Sequence, residues 1–453
     1  MTTSISLELS AAAIRSTYNK VMCRSRFLPL VALILTSAAV NAQSTSSTNP
    51  NEDASLRNFV QRAVQFLDSA QLQQRQQAEK ALIDRGPKVL DLLPTDLEPY
   101  SSEVRTRLDR IRQKLYEDVA IQTASGSLVS LTGTFRLHDV LQELEQQTGN
   151  LIVTSREFGN TLELDLEKVP FHQALDQILD QSGLEPEPYF APHPNQILIK
   201  PALAGAVART NQADYTGPFR IAVVKVNSSK DLRFPNASAC TLTLHVGWEP
   251  RVRPLYLTMT AEKLKAVDDA GNEITPLIDG EKTLNVEGTA PLVELEIPFT
   301  LPRTTARQLQ TVTGTISAMV PGRKEHFEFS KLEASSSFPK QQRRAGVTVT
   351  VQSVRQTDQQ TIVELDIHYR DAGNAFESHR GWTNRNLVYL THDGNKLAFK
   401  PRRETIAQKK QAVTYRYTFD TQAELARMTF NYHTPALLLN KEVEFELNAI
   451  PLP

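Results

Sequence analysis

The sequence predicts a multidomain chain of mixed α+β and all-β class: a short helical segment, a small β-α-β-β-α-β-type module, then two tandem antiparallel β-sandwiches. Three observations predict it. Apolar residues recur at three- and four-residue spacing from Leu56 to Val119. A strand-helix pattern is written twice, first in Leu137 to Leu151 and again 34 positions later in Phe171 to Leu184. From residue 216 to the end, short stretches alternate apolar and polar residues between turns bearing Gly and Asp, as half-buried antiparallel strands do.

Residues 1–42 read as an export signal. Arg24 and Arg26 precede an apolar run, Phe27 to Val40, that is too short to span a bilayer, and Val40, Asn41 and Ala42 close it like a small-residue cleavage site. The polar leader before it makes Met22 a second candidate start, and an uncleaved N-terminal anchor is the alternative to cleavage. Cys23 precedes the apolar run, whereas a lipoprotein cysteine would follow it. The expected location is periplasmic or extracellular, with the membrane met only through the signal if it is uncleaved. Removing the first 42 of 453 residues leaves 411, room for three or four domains. The 50 Lys and Arg nearly balance 51 Asp and Glu, which argues against a general electrostatic grip on nucleic acid. Cys240 is the one cysteine left after the signal, so neither an intrachain disulfide nor a cysteine zinc site is expected.

Residues 43–54 are Ser, Thr, Asn and Gln with little to bury, a disordered tether. Residues 55–120 then turn helical. Phe59, Val60, Ala63, Val64 and Leu67 share one face, Ala78, Ala81 and Leu82 a second before Gly86, and Pro87 opens a third helix through Val89 and Leu93. A fourth carries Val104, Leu108, Ile111 and Leu115. The order of features in QLQQRQQAEKALIDRGPKVLDLL resembles a HEAT-like helical repeat, over little more than one repeat. Such repeats bury a continuous core only when stacked, so the resemblance implies a cap packed on a neighbour.

Residues 127–201 explain the repeated pattern. A strand, SLVSLTGTFRL, leads into a helix with Val140, Leu141 and Leu144 inward and Gly149 as its C-cap. After NLIVTS and TLELDLEKV, Pro170 opens a second helix with Ala174, Leu175, Ile178 and Leu179 inward, closed by Gly183. PEPYF and NQILIKP supply further strands, and both helices are expected on one face of a small sheet. FRLHDVLQELEQQTGNLIV, LELDLEKVPFHQALDQILDQSGLEPE and NQILIKP resemble the short N-terminal domain of secretins and of signalling TonB-dependent outer-membrane receptors. The resemblance implies a protein-contact module of the cell envelope, without catalysis. Neither a secretin pore nor an outer-membrane barrel pattern follows Pro201, so transport and signalling do not carry over.

Residues 216–332 hold about seven short strands, and residues 345–453 a second series. KLKAVDDAGNEI in the first answers NLVYLTHDGNKL in the second, and HFEFSKL answers VEFELNAI, in the same order. Two related immunoglobulin-like sandwiches in tandem are therefore expected, divided by a polar hinge at Glu333 to Arg344. GPFRIAVVKV, WEPRVRPLYL, AVDDAGNEI, FESHRGW and FELNAIPLP also resemble a family of uncharacterised secreted proteins of planctomycete-type bacteria, which implies a bacterial envelope setting and no particular activity.

Three stretches hold candidate contact residues. In GWEPRVRPLYL, Trp248, Glu249, Arg251 and Arg253 admit two readings: a binding patch after the strand, or a buried Trp with Arg and Glu paired internally. In NAFESHRGWTNRN, Phe376, His379, Arg380 and Trp382 gather on a loop, where aromatic and Arg side chains give large contact area. The alternative is a loop folding its aromatics over the open end of a core. From Lys396 to Lys410, six Lys or Arg surround Glu404, either facing an acidic envelope polymer or lipid surface or forming a solvated hairpin. No His-x-x-x-His, Gly-x-Ser-x-Gly elbow or phosphate-cradling Gly loop is written, so no catalytic, cofactor or metal residue is assigned and no enzyme is expected. His138 and His172 occupy matching places in the repeated helices, read as capping or surface packing. The expected function is a non-enzymatic contact or scaffold component of the envelope with a protein partner. The alternative is carbohydrate or cell-wall binding through Trp248 or Trp382, which needs one ring flat and exposed.

Overall fold

The computed structural model describes residues 50–94, 96–209, 213–234, 238–332, 338–370, 380–398 and 400–453, with the side chains of residues 50–53 and 380 left aside. The export signal and most of the tether fall outside this range. Residues 54–453 form one compact unit. The fold is mixed α+β, and the described residues place helices and several sheets around four hydrophobic cores.

Helix α1 spans Pro50–Phe66, so it starts inside the stretch expected to be a tether, and α2 spans Leu72–Asp84. The expected third helix is a six-residue 3-10 turn, Pro87–Leu92, entered through Gly86 at φ 80°. Six residues are too few to repay the nucleation of an α-helix. Helix α3, Ser102–Thr123, begins on Ser101, whose side chain accepts the Val104 N–H. Val60, Leu67, Leu82, Val89, Leu108 and Ile111 close this core. Glu79, buried beside it, receives Arg107 at 2.5 Å and Arg110 at 3.0 Å.

The small module runs β1 (Leu128–Arg136), α4 (Leu137–Thr148), β2 (Leu151–Thr154), β3 (Thr161–Pro170), α5 (Phe171–Ser182), β4 (Leu184–Pro186) and β5 (Gln196–Pro201). Both helices end on a left-handed glycine, Gly149 at φ 71° and Gly183 at φ 66°. The strands form two sheets where one was expected: β1 pairs with β3, while β2, β5 and β4 form the other, with β2 parallel to β5. Val140, Leu144, Leu164, Phe171, Ile178 and Ile199 fill a shared core.

The next strands are β6 (Ala213–Thr216), β7 (Phe219–Ser229), β8 (Ala239–Trp248), β9 (Tyr256–Thr260), β10 (Lys265–Asp268), β11 (Glu273–Ile274), β12 (Glu281–Asn285), β13 (Leu292–Phe299) and β14 (Gln308–Phe329). Then follow β15 (Lys340–Arg344), β16 (Val347–Gln356), β17 (Thr361–Tyr369), β18 (Leu387–His392), β19 (Asn395–Lys396), β20 (Arg402–Lys409), β21 (Ala412–Phe419) and β22 (Met428–Pro451). One sheet is ordered β13-β8-β7-β6 and another β15-β16-β17-β21-β20. A third, larger sheet is ordered β11-β10-β14-β22-β18-β19, with β9 and β12 joined to it through β14.

This large sheet departs from the tandem arrangement expected. Strands β14 and β22 pair antiparallel over nearly their whole length, from Gln308 opposite Pro451 to Phe329 opposite Phe430. The first part of β14 places Leu309, Val312 and Ile316 in one core, and its far end places Phe327 and Phe329 in the other. Strand β22 does the reverse: Phe430 and Tyr432 join the second core, Val443, Phe445 and Leu447 the first. Each half therefore lends the end of its last strand to the other. The sequence echoes fall on equivalent pieces, since the β10-β11 hairpin flanks β14 as the β18-β19 hairpin flanks β22. Part of the expected hinge, Lys340–Arg344, is strand β15. At the midpoint of the exchange a side chain on Gly322 would overlap Ala120 of α3, and Arg323 lies 4.1 Å over the Tyr116 ring. Glycine there lets the helix lie across the crossing point.

Candidate functional site

Strand β8 carries Trp248 into the first core at 0% exposure, and the chain turns as it leaves the sheet. The Glu249 N–H donates to the Pro218 carbonyl at 2.8 Å, which aims the carboxylate toward the small module. That carboxylate is also 0% exposed. It accepts from the Ser127 N–H (2.7 Å), Ser127 Oγ (2.7 Å), Asn150 Nδ2 (2.8 Å) and Arg251 Nε (2.8 Å). Arg251 also donates to the Thr123 carbonyl at 2.5 Å and to that of Ser125, so one guanidinium ties the end of α3 to the turn that follows β8. A buried carboxylate with four donors, one of them a cation, has the compensation that burial of charge demands.

A second cluster lies on the same junction. Asp176 of α5, 2% exposed, accepts from Tyr215 Oη at 2.7 Å and Arg220 Nε at 2.6 Å. Arg209 joins from the linker, 3.1 Å from Asp180. Burial, and next the Asp176 charge, push the Tyr215 hydroxyl well above its usual range. His172, one turn earlier on α5, is buried, and its Nε2 has no hydrogen-bond partner. Burial holds its pKa down to about 4; the Glu249 charge opposes this and the Arg220 charge adds to it. His138, its counterpart on α4, is exposed. Polar side chains thus converge between the small module and the first β-core, and apart from His172 Nε2 they are engaged with one another, as a clamp is.

Of the remaining candidates, Arg253 and Trp382 lie on stretches that are joined where the two β-cores meet. Arg253 Nη2 donates to the Gly288 carbonyl at 2.7 Å, and burial lowers its pKa. Trp382, 3% exposed, packs edge-on against Tyr369 with ring centroids 5.5 Å apart. Three residues on, Arg385 donates to the Leu255 carbonyl at 3.2 Å, so the turn carrying Trp382 is tied to the stretch carrying Arg253. Phe376 and His379 lie outside the described residues, as does the side chain of Arg380. Neither Trp248 nor Trp382 offers an exposed ring face. The basic run becomes the edge strand β20, exposed along most of its length, with Glu404 3.1 Å from Arg416 and Arg403 4.7 Å over the Tyr415 ring. Cys240 is buried in β8.

An open groove of about 930 Å³ lies on the small module. Its walls are α4, with His138, Gln142 and Glu145; the paired ends of β1 and β3, with Arg136 and Thr161; and β2, with Ile152 and Thr154. Among the described residues β2 is paired on one side only, with β5, so its other edge is unpaired. Sequence reasoning missed both this groove and the Asp176 clamp. The signal for the clamp was present: Asp176 follows His172 by one helical turn and shares the apolar face with Leu175 and Leu179, where an acid needs a partner.

Among the described residues no group of three or more His, Cys, Asp or Glu is placed to hold a metal ion, and no helix is long and apolar enough to cross a membrane. No family model and no curated protein matches the chain. Among solved structures it is similar to a conserved domain protein from Bacillus anthracis, at 8% identity over 53% of this chain and 90% of that one, with a TM-score of 0.17. A superposition that loose carries no argument about fold or function.

Proposed function

We propose that the chain is a non-enzymatic, secreted or periplasmic scaffold component of a bacterial cell envelope, and that it holds an extended segment of a protein partner in the groove of the small module. The unpaired edge of β2 beside that groove carries the reading. A strand edge offers backbone N–H and C=O groups to an added strand, and groove walls of mixed polarity select its side chains. The polar clusters elsewhere favour the same division of labour, because they brace the module against the first sandwich and leave α4 and β2 outward. The likeness to the secretin and TonB-dependent receptor domain fits a contact role, and the opposed antiparallel sheets fit an immunoglobulin-like reading of the sandwiches. Wall-polymer binding through Trp248 or Trp382 is the weaker reading, since a sugar needs an exposed ring face to stack on.

A photo-crosslinking side chain placed at Gln142 or Thr154, in the full chain expressed in its own organism, tests this. Cross-links from both positions to one short stretch of a single polypeptide, with none from a control at Lys409, are expected. Equal labelling from all three positions, or recovery of wall polymer alone, would sink the proposal.

A further inference from the structure

The hairpin joining β7 to β8 ends in a turn that exposes two large apolar side chains. Leu232 is 84% exposed and Phe234 65%. Their exposure is built into the turn. Asp231 Oδ1 accepts from the Arg233 N–H at 2.7 Å and the Phe234 N–H at 2.8 Å, and the Asp231 N–H donates to Ser238 Oγ at 3.0 Å. An aspartate bonded to the amides two and three residues on fixes the backbone from Asp231 to Phe234, and with it the presentation of the apolar pair. The charges are sorted as well. Lys230 and Arg233 are exposed, with the Arg233 guanidinium 5.9 Å from the Phe234 ring centroid, while the Asp231 carboxylate is half-buried against backbone amides. Along β7 toward the sandwich, Val224 (47% exposed) and Lys225 repeat the pairing of an apolar residue with a cation.

We propose that this tip is a membrane-docking element, seating Leu232 and Phe234 at the boundary between headgroups and acyl chains of a bilayer that contains anionic phospholipid. A projecting apolar pair fits a fluid interface, which needs no shape-matched cavity, and aromatic and leucine side chains are the residues that enter it. Lys230, just before the turn, and Arg233, between the two apolar residues, then meet lipid phosphates, each adding attraction that falls off within a Debye length. Two side chains and two cations make a reversible attachment that responds to salt. The tip belongs to the first sandwich and the groove to the small module, so the two sites are tested separately.

The experiment is co-sedimentation of residues 43–453 with vesicles of phosphatidylcholine alone or with phosphatidylglycerol added, at low and high salt. Binding to the phosphatidylglycerol vesicles is expected, reduced at least tenfold by L232S/F234S, and made weaker and less salt-dependent by K230Q/R233Q. Because these residues are exposed, unchanged thermal unfolding of the variants is expected and separates lost docking from lost folding. In F234W, a blue-shifted indole quenched by brominated acyl chains is expected only with phosphatidylglycerol present. Absence of wild-type binding, equal binding by L232S/F234S, or binding indifferent to lipid charge and to salt would each overturn the proposal. Loss of a protein ligand from L232S/F234S, with no vesicle binding by the wild type, would overturn it in favour of a protein pocket.

Discussion

His172 and Asp176 share the inward face of α5, and burial sets the protonation of His172. The folded pKa of His172 is lowered to about 4 from the ordinary value of 6.5. Between these values the unfolded chain binds a proton that the folded chain excludes. Stability therefore falls as pH drops through that window, by about 3 kcal/mol at its lower end. Replacing His172 by Gln should remove this contribution, so that urea midpoints measured from pH 7 to pH 4 decline less steeply than in the wild type. An unchanged slope would assign the acid sensitivity to other groups. At this scale the sequence offered a buried Trp with internally paired Arg and Glu as one of two readings, without indicating what else joins them. Trp248, Glu249 and Arg251 stand out in a short run, yet the role of Glu249 depends on Ser127, 122 positions away, and Asn150, 99 positions away. No local pattern encodes those partners.

Elements were legible where their limits are chemical and local. Gly149 and Gly183 end their helices as expected, because only a left-handed residue closes them there. The division of the small module into two sheets was not legible, since strand pairing is decided by distant partners. Besides the Glu249 cluster, its elements are joined to the rest through Asp176 and the close approach of two loops: a Cβ on Gly126 would come within 2.5 Å of the Gly217 backbone. Gly126→Ala should cost about 1–3 kcal/mol, the usual price of overpacking. Asp176→Asn should cost about 3 kcal/mol, because Arg220, 16% exposed, keeps its charge and loses its counter-ion. Chemical denaturation measures both losses. Limited proteolysis should find faster cutting between residues 201 and 213 in either variant; wild-type cutting rates would show that the module is held by something else.

At the scale of the whole molecule, the echoes in the sequence correctly marked equivalent strands, while the exchange of strand ends between the halves left no trace in them. An alternating strand looks the same whichever sheet receives it. The consequence for stability is large. Val443, Phe445, Leu447 and Ile450 are all buried in the first core at 5% exposure or less. Each contributes about 1.5–3 kcal/mol by burial, so together they match the whole margin of a typical domain, about 5–15 kcal/mol. Ending the chain at Arg427 should therefore unfold the first half as well as the second, and circular dichroism should show loss of β-signal well beyond that of β22 alone. A surviving, protease-resistant fragment of residues 213–332 would refute this. The exchange also puts the molecule on a clock. A ribosome delivers Gln308 long before it delivers Pro451, and until that last strand emerges the first half has a core without its final wall and a strand, β14, without its neighbour. The earliest part of the β-region to be made is thus completed only late, and whatever guards a nascent chain must shield that open edge until Pro451 has emerged.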